Sequence, residues 1–404
     1  MSSAAGAVAA LRSTTVIRER AGQLLARARA GESSHFAVDD AALASAARTA
    51  AELTRQRFPD LRIPYHSRWR HFEAGQVDRV ARLDVLLGPV DAAERARTQI
   101  DLALVSVLLD AGAGAAWRYH EADSGQDFSR SEGLGVASFH AFTAGLFSSD
   151  PAQPLRVDAA GLAALTAEAL GAAFQVGEGN PLVGLEGRTA VLRRLGLAMR
   201  EHASTYGPLG RPGALFDALR GPTVEAHHIL TALLDTLSGI WPAQNAIGGI
   251  AVGDCWPHPA VPGAGLTAGW MPFHKLSQWL TYSLLEPFEW AGVPVAGLDA
   301  LTGLPEYRNG GLLIDAGVLR PLPADHATRH WQAGDAFIVE WRALTVALLD
   351  ELAPQVRAAL GLAPQQLPLA CVLEGGTWAA GRLLAQRLRG GLPPLNIVSD
   401  GTVF

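Results

Sequence analysis

The residues best suited to chemistry stand in one stretch of the chain, residues 270–319. The stretch combines ionisable and amide side chains with aromatic ones, namely Phe273, His274, Lys275, Gln278, Trp279, Glu306, Tyr307 and Arg308. Ionisable groups in such an apolar run are costly to bury unless they are paired. We therefore interpret Lys275 and Glu306 as the floor of a small-molecule site and the other segments as its walls and support.

Lys275 and Glu306 offer complementary chemistry. A carboxylate stabilises a developing positive charge or adds to carbon as a nucleophile. Lys275 would keep Glu306 ionised through its opposite charge, or either Lys275 or a histidine would protonate a leaving group. Arg308 would bind a phosphate or lock Glu306 in an ion pair. The structural alternative for Lys275 and Glu306 is a buried salt bridge that joins two helices.

Two further polar segments could line the same site. Residues 63–73 read IPYHSRWRHFE, and because a planar guanidinium suits phosphate or carboxylate, we predict that Arg68 reaches the site. The alternative is a charged loop that is held in place by Trp69. The second segment contains Asp254 and Trp256, which are further candidates for substrate binding. The Trp256 indole would exclude water from the site.

No metal is predicted. His227 and His228 would point roughly 100° apart on a helix and cannot easily face one ion. Asp254 and His258 lie close together in the sequence, but zinc would need more ligands from elsewhere.

Composition restricts the class of protein. The 404 residues are 49% hydrophobic and can bury a large core. The net charge of -6 is dispersed, which argues against a nucleic-acid-binding surface. No uncharged apolar run is long enough for a membrane span, and the first residues do not resemble a signal peptide. Two cysteines, Cys255 and Cys371, cannot form a disulfide scaffold and fit a reducing cytoplasm.

Helical periodicity dominates and period-2 strands are few, so the chain is predicted to be mainly α, with a compact multi-helix fold and a few short strands. Capping aspartates are predicted at three helix starts: Asp39 or Asp40, Asp91, and Asp335. No long linker divides the chain, so residues 1–404 are predicted to form a single globular domain. Its parts are an N-terminal helical part (1–220), a core (221–360), and a C-terminal helix with an extended tail that packs back (361–404).

Five blocks of distinct sequence follow one another along the chain, each present once: IPYHSRWRHFE, RSEGLGVASFHAF, NPLVGLEGR, GLDALTGLPEYRNGGLLIDAGVL and SDGTVF. Together they resemble the uracil catabolism protein 4 family, a domain of unknown function. The resemblance implies a ring-opening route of pyrimidine breakdown, in which a ribosylated urea is a proposed intermediate.

Four other blocks fall within about residues 225–345, at residues 234–241, 273–278, 301–308 and 339–343. They show a more distant similarity to the queuosine salvage proteins, which are nucleotide N-glycosylases with an all-helical fold related to helix-hairpin-helix DNA glycosylases. The similarity implies that fold for a glycosylase-like core, and it implies Lys275 and Glu306 as catalytic residues. Glu306 is one methylene longer than the family's aspartate, which suggests a smaller leaving group.

The resulting prediction is a hydrolase that cleaves an N-glycosidic bond of a ribosylurea-type compound or a related pyrimidine-derived nucleoside or nucleotide. Its predicted substrate-binding residues are Arg308, Tyr307, Trp241, Asp235, His274, Gln278, Asp254, Trp256, Arg68 and Glu340. One alternative is a metal-dependent amidohydrolase acting on a ureide, for which His227, His228, Asp254 and His258 are the local ligand supply. Another is a non-catalytic partner of pathway enzymes. No cofactor is expected, and self-association is left open.

Overall fold

A computed structural model describes residues 3–241 and 245–398. The predicted packing of the last six residues, 399–404, lies outside this part of the chain. The described residues divide into two units. Unit 1 comprises residues 3–66, 245–278 and 297–398, and unit 2 comprises residues 67–241 and 279–296. The single domain, with parts that meet at residues 220 and 360, stays a prediction, and each unit is considered by itself below.

Helices carry most of the described chain, which confirms the predicted mainly helical class. In chain order they are α1 Ala4–Leu11, α2 Thr14–Arg29, α3 Asp40–Arg57, α4 Trp69–Phe72, α5 Arg79–Leu87, α6 Ala92–Leu108, α7 Arg130–Thr143, α8 Ala159–Ala164, α9 Ala167–Ala173, α10 Leu185–Glu201, α11 Ala203–Tyr206, α12 Ala214–Leu219, α13 Ala226–Leu237, α14 Lys275–Trp290, α15 Tyr307–Asp315, α16 Ala336–Leu360, α17 Leu369–Val372 and α18 Trp378–Arg389. The likeness to helix-hairpin-helix glycosylases stays a prediction.

The strands are short, also as predicted. They are β1 Phe36–Val38, β2 Tyr119–Glu121, β3 Gln126–Phe128, β4 Val224–Glu225, β5 Ala246–Ile247, β6 Ile250–Ala251, β7 Cys255–Pro257, β8 Trp270–Pro272, β9 Val295–Ala296, β10 Leu319–Pro321, β11 His330–Trp331 and β12 Asn396–Ile397. They pair two by two, and the antiparallel β7–β8 ribbon sets Cys255 opposite Pro272. This ribbon brings Asp254, the residue before β7, next to Lys275, the first residue of α14.

The core of unit 1 is built on α16, which packs against α2 and α3. Its residues 337–349 are buried on every side, as expected for a helix at the centre of a unit. Helix α15 packs along α18, where Gly381 lies against the Arg308 backbone. A β-carbon at Gly381 would stand 2.0 Å from the Arg308 carbonyl oxygen, so only glycine permits this approach.

A π-helical turn, Leu373–Thr377, joins α17 to α18. Gly376 and Gly375 within it lie directly against α3, since a β-carbon on Gly376 would stand 2.4 Å from the Ala50 carbonyl oxygen. Such turns often lie at functional sites because they redirect one side chain out of helical register. Glu374 lies in this turn, and its side chain is buried within unit 1.

In unit 2, helices α6 and α7 pack against each other, and the buried hydroxyls of Ser106 and Ser138 meet between them at 2.5 Å. Arg79 and Glu121 form an ion pair at 2.6 Å in which neither side chain is exposed. No helix in the described part of either unit is long and apolar enough to cross a bilayer.

Candidate functional site

Asp254 fixes the point at which α14 begins. Its backbone carbonyl oxygen accepts the N–H groups of Phe273 at 2.9 Å and His274 at 3.1 Å. Its carboxylate Oδ2 accepts the backbone N–H of Lys275 at 2.9 Å. His274 adopts a positive φ of 50°, the reversal that turns the chain from β8 into the helix. Lys275 is thereby held as the first residue of α14.

The same carboxylate is paired with a buried cation. Arg342 Nη1 and Nη2 donate to its two oxygens at 2.8 and 2.7 Å, and Trp256 Nε1 donates at 2.7 Å. Burial acts to raise the pKa of Asp254, but the charge and hydrogen bonds of Arg342 outweigh it and hold the pKa well below its ordinary value. Asp254 and Trp256 are thus partners of each other, and their predicted contact with substrate stays a prediction.

Glu306 occupies the N-cap position of α15. Its two carboxylate oxygens accept the backbone N–H groups of Arg308 and Asn309, each at 2.6 Å. Glutamate is not among the preferred N-cap residues, yet here it satisfies two of the free donors at the start of the helix. The positive end of the helix dipole also favours the charged form.

Burial raises the pKa of Glu306. The two backbone hydrogen bonds oppose this shift, and so do the charges of Lys275 and His66, which lie close enough to act on the carboxylate. Lys275 therefore acts in the predicted direction, but desolvation outweighs it. A carboxylate of this kind is under-compensated and would interact strongly with a further positive charge.

His66 and Glu374 form a dyad that no sequence pattern had indicated. His66 Nδ1 lies 2.8 Å from Glu374 Oε2, and both side chains are buried. Arg57 Nη2 donates to the other oxygen at 2.6 Å. Burial acts to raise the pKa of Glu374, but the hydrogen bonds and charges of His66 and Arg57 lower it overall. The ionised glutamate fixes a proton of His66 on Nδ1, which leaves Nε2 as the other ring nitrogen.

Arg308 is a buried residue of unit 1. Its Nη1 donates to the Gly391 carbonyl oxygen at 3.2 Å, and its guanidinium lies 4.7 Å from the centre of the Tyr307 ring. Among the described residues, no ion pair joins Arg308 to Glu306, and Arg308 Nε has no hydrogen-bond partner. A phosphate-binding role for Arg308 stays a prediction, as does substrate contact by Tyr307.

Gln278 and His274 have internal partners. Gln278 Nε2 donates to Thr302 Oγ1 at 2.6 Å, and Gln278 Oε1 accepts the Thr302 backbone N–H at 2.7 Å. His274 Nε2 lies 3.0 Å from the Leu11 carbonyl oxygen, and burial lowers its pKa, so the ring is held neutral. Both side chains support the start of α14, and neither is carried into our proposal.

Glu340 belongs to a different group of side chains in unit 1. Its Oε2 lies 3.4 Å from His258 Nε2, and its Oε1 accepts the hydroxyl of Ser33. His35 stands beside them, and the group lines a cavity of about 480 Å³. Of the four ligands suggested for an amidohydrolase, His258 alone takes part in this group.

Three predicted residues lie in unit 2. Arg68 is completely buried and donates to Asp110 Oδ2 at 2.9 Å and to Ser106 Oγ at 2.6 Å. Asp235 lies on the exposed face of α13, and Trp241 is half-buried beyond its end. Their predicted roles stay predictions, and we leave all three out of the proposal.

Similarity to known proteins extends along nearly the whole chain. A family model described as a protein of unknown function, DUF1688, matches residues 10–404. Protein urg3 of Schizosaccharomyces pombe is 41% identical over 412 residues, covering 98% of this chain and 99% of that protein. Uracil catabolism protein 4 of Lachancea kluyveri is 39% identical over 377 residues, covering 85% of each. With this extent of similarity, the chain belongs to the DUF1688 family.

Proposed function

We propose that the protein acts in uracil catabolism as a hydrolase that cleaves the N-glycosidic bond of a ribosylurea-type compound, or of a related pyrimidine-derived nucleoside or nucleotide. The pathway is suggested by the name of its relative, uracil catabolism protein 4. The reaction is suggested by the side chains around Glu306 and by the similarity of four blocks to queuosine salvage proteins.

The observation that carries the proposal is the setting of Glu306. Its carboxylate is half-buried at the start of α15 and desolvation raises its pKa, while the side chains of Lys275 and His66 lie close enough to oppose that shift. Burial, one fixed acid and two potential proton donors form the combination that perturbed functional sites use. A residue that served only as an N-cap would need neither Lys275 nor His66 beside it.

Glu306 would act on the sugar. Breaking the C1′–N bond leaves positive charge on C1′ and the ring oxygen, as in glycoside hydrolysis. A carboxylate in a low-dielectric setting stabilises that charge more strongly than one in water. The raised pKa means that the ionised form is costly in the resting protein, and this cost is recovered as the cation develops.

His66 would act on the leaving nitrogen. The electrons of the C1′–N bond pass to nitrogen, which must accept a proton because urea is a poor anionic leaving group. With Nδ1 held by Glu374, the Nε2 atom of the imidazolium is the donor, and Lys275 is the second candidate. Water then adds to C1′ and returns one proton to the acid, giving urea and the free sugar or sugar phosphate.

The test is direct turnover. The purified protein is incubated with ribosylurea, ribosylurea 5′-phosphate and pyrimidine nucleosides and nucleotides, and mass spectrometry follows free ribose and ribose phosphate. We expect release from at least one ribosylated urea. If every compound survives while the protein binds none of them, the glycosidase proposal is wrong.

A further inference from the structure

Three side chains far apart in the sequence meet at the cavity of unit 1. One nitrogen from each of His35 and His258 and one carboxylate oxygen of Glu340 all lie within 4.8 Å of one another. His258 and Glu340 are buried, while His35 is half-buried at the edge of the cavity. The group uses none of the residues to which the proposed hydrolysis assigns a role.

The separation between His258 and Glu340 favours a shared ion over a hydrogen bond. Their facing atoms are 3.4 Å apart, beyond the usual range for N–H···O bonds. Zinc holds such ligands at about 2.0–2.1 Å, and two corners of a tetrahedron of that size stand roughly 3.4 Å apart. The facing nitrogen, His258 Nε2, is buried and has no hydrogen-bond partner among the described residues.

The surroundings support the other two ligands. Ser33 donates its hydroxyl to Glu340 Oε1, which leaves Oε2 to face His258. The Ser33 oxygen itself accepts the backbone N–H of His35 at 3.0 Å, so the same residue positions the loop that carries the first histidine. The His35 ring packs edge-on against Phe337 at 5.9 Å. Metal ligands are commonly oriented by partners of this kind.

Binding would require a proton shift on one ring. The Ala260 backbone N–H donates to His258 Nδ1 at 3.2 Å, which puts the ring proton on Nε2. A metal ion would displace the Nε2 proton, Nδ1 would become protonated, and the bond from Ala260 would be lost. Because a metal and a proton compete for the same ligand atoms, metal affinity should fall as the pH is lowered.

The ligand types indicate the class of ion. Two imidazoles and one carboxylate suit zinc and other first-row transition metals, whereas magnesium and calcium prefer oxygen ligands throughout. Three protein ligands leave at least one coordination position open, as in catalytic rather than structural sites. That position would face the cavity of about 480 Å³. We propose that His35, His258 and Glu340 bind one divalent transition metal ion, zinc in the first place, with an open position for water or a small oxygen ligand.

The test is metal binding by the full-length protein, independent of any activity. Protein stripped with a chelator is titrated with Zn²⁺ alone, and with Co²⁺ alone to follow the visible ligand-field absorption. We expect one ion per chain and, for cobalt, the intense absorption of a four- or five-coordinate site. His258→Ala, His35→Ala and Glu340→Gln should each weaken binding by 10-fold or more.

The matched control is His330→Ala, which removes an exposed histidine of the same unit and should leave binding unchanged. Circular dichroism tests whether each variant is folded. If the variants of the buried residues His258 and Glu340 do not fold, the cobalt absorption of His35→Ala, a change at a half-buried residue, still tests the site. Failure of the wild-type protein to bind either ion would overturn the inference, as would equal binding by His35→Ala. Neither result would bear on the N-glycosidic proposal, which uses other residues.

Discussion

Arg342 donates to both carboxylate oxygens of Asp254, at 2.8 and 2.7 Å, in a pair whose guanidinium is completely buried. The same carboxylate accepts the backbone N–H of Lys275. One aspartate thus neutralises a buried cation and sets the first residue of α14, so the position of the proposed lysine depends on this pair.

Asp254→Asn should destabilise the protein by about 3–5 kcal/mol, because it leaves the buried charge of Arg342 uncompensated. The pKa of Asp254 is lowered in the folded state. Its carboxylate therefore adds fully to the free energy of unfolding above pH 3.8, the ordinary pKa of aspartate, and this contribution is lost as the pH falls below that value. Urea unfolding of both proteins at several pH values measures this. The control Asp40→Asn breaks an exposed pair with Arg29 and should cost under about 1 kcal/mol. Equal losses in the two variants would contradict this account.

Gly381→Ala should destabilise the protein by several kcal/mol or prevent folding, because the added carbon would stand 2.0 Å from the Arg308 carbonyl oxygen. Gly22→Ala is the matched control. This exposed glycine lies inside α2, and apart from its chain neighbours and the backbone of its own helix nothing comes within 4 Å of the new carbon, so alanine should stabilise by about 0.5–1 kcal/mol. Thermal and denaturant unfolding compare the two. A tolerated Gly381→Ala would show that α15 and α18 are not in close contact.

Glu286 of unit 2 should make stability depend on pH. Burial raises its pKa to about 7, against the opposing charge of Arg70 and the hydrogen bond from Ser67. Because the folded protein binds this proton more tightly than the unfolded chain does, Glu286 adds to the free energy of unfolding. That contribution is complete below pH 4.5, the ordinary pKa of glutamate, and is lost as the pH rises to about 7. Relative to Glu286→Gln, the wild-type protein should lose about 3 kcal/mol across this range. A difference that does not vary with pH would show that Glu286 titrates normally.

His66→Gln tests the proposed acid while keeping a group that can donate to Glu374. On a ribosylated urea, kcat should fall roughly 10²–10⁴-fold, the usual contribution of a general acid. The loss should shrink for substrates whose nitrogen leaves readily as an anion, because these need no proton. Rates on a series of leaving groups, measured for both proteins, give the comparison. The same fractional loss on every substrate would assign His66 a structural role instead.

Local features of the fold could be predicted from the sequence. Asp39 accepts the Ala41 N–H at 3.0 Å and Asp91 accepts the Glu94 N–H at 2.7 Å, and both predicted caps are confirmed. Asp335 does precede α16, but its carboxylate accepts the Gln332 N–H instead of capping the helix. Capping and helical periodicity involve neighbours within a few residues, which explains why these predictions were largely correct.

The groups that meet at long range could not be predicted. His66 pairs with Glu374 and His258 with Glu340 only after a loop residue of unit 1 meets a helical residue far along the chain. No spacing in the chain encodes such a meeting, and the π-helical turn that presents Glu374 has no sequence signature of its own. Glu306 was singled out by its place among ionisable and aromatic residues, but its N-cap role was not predicted, since glutamate is not among the preferred N-cap residues.

The most direct test of the central claim is the rate of urea release by Glu306→Gln, with Lys275→Ala measured beside it. Both variants are compared with the wild-type protein on the ribosylated urea that it cleaves fastest, after circular dichroism has established that they are folded. We predict that Glu306→Gln loses at least roughly a hundredfold in kcat and that Lys275→Ala also loses turnover. Folded variants that release urea at the wild-type rate would contradict the claim that Glu306 and Lys275 act in the reaction.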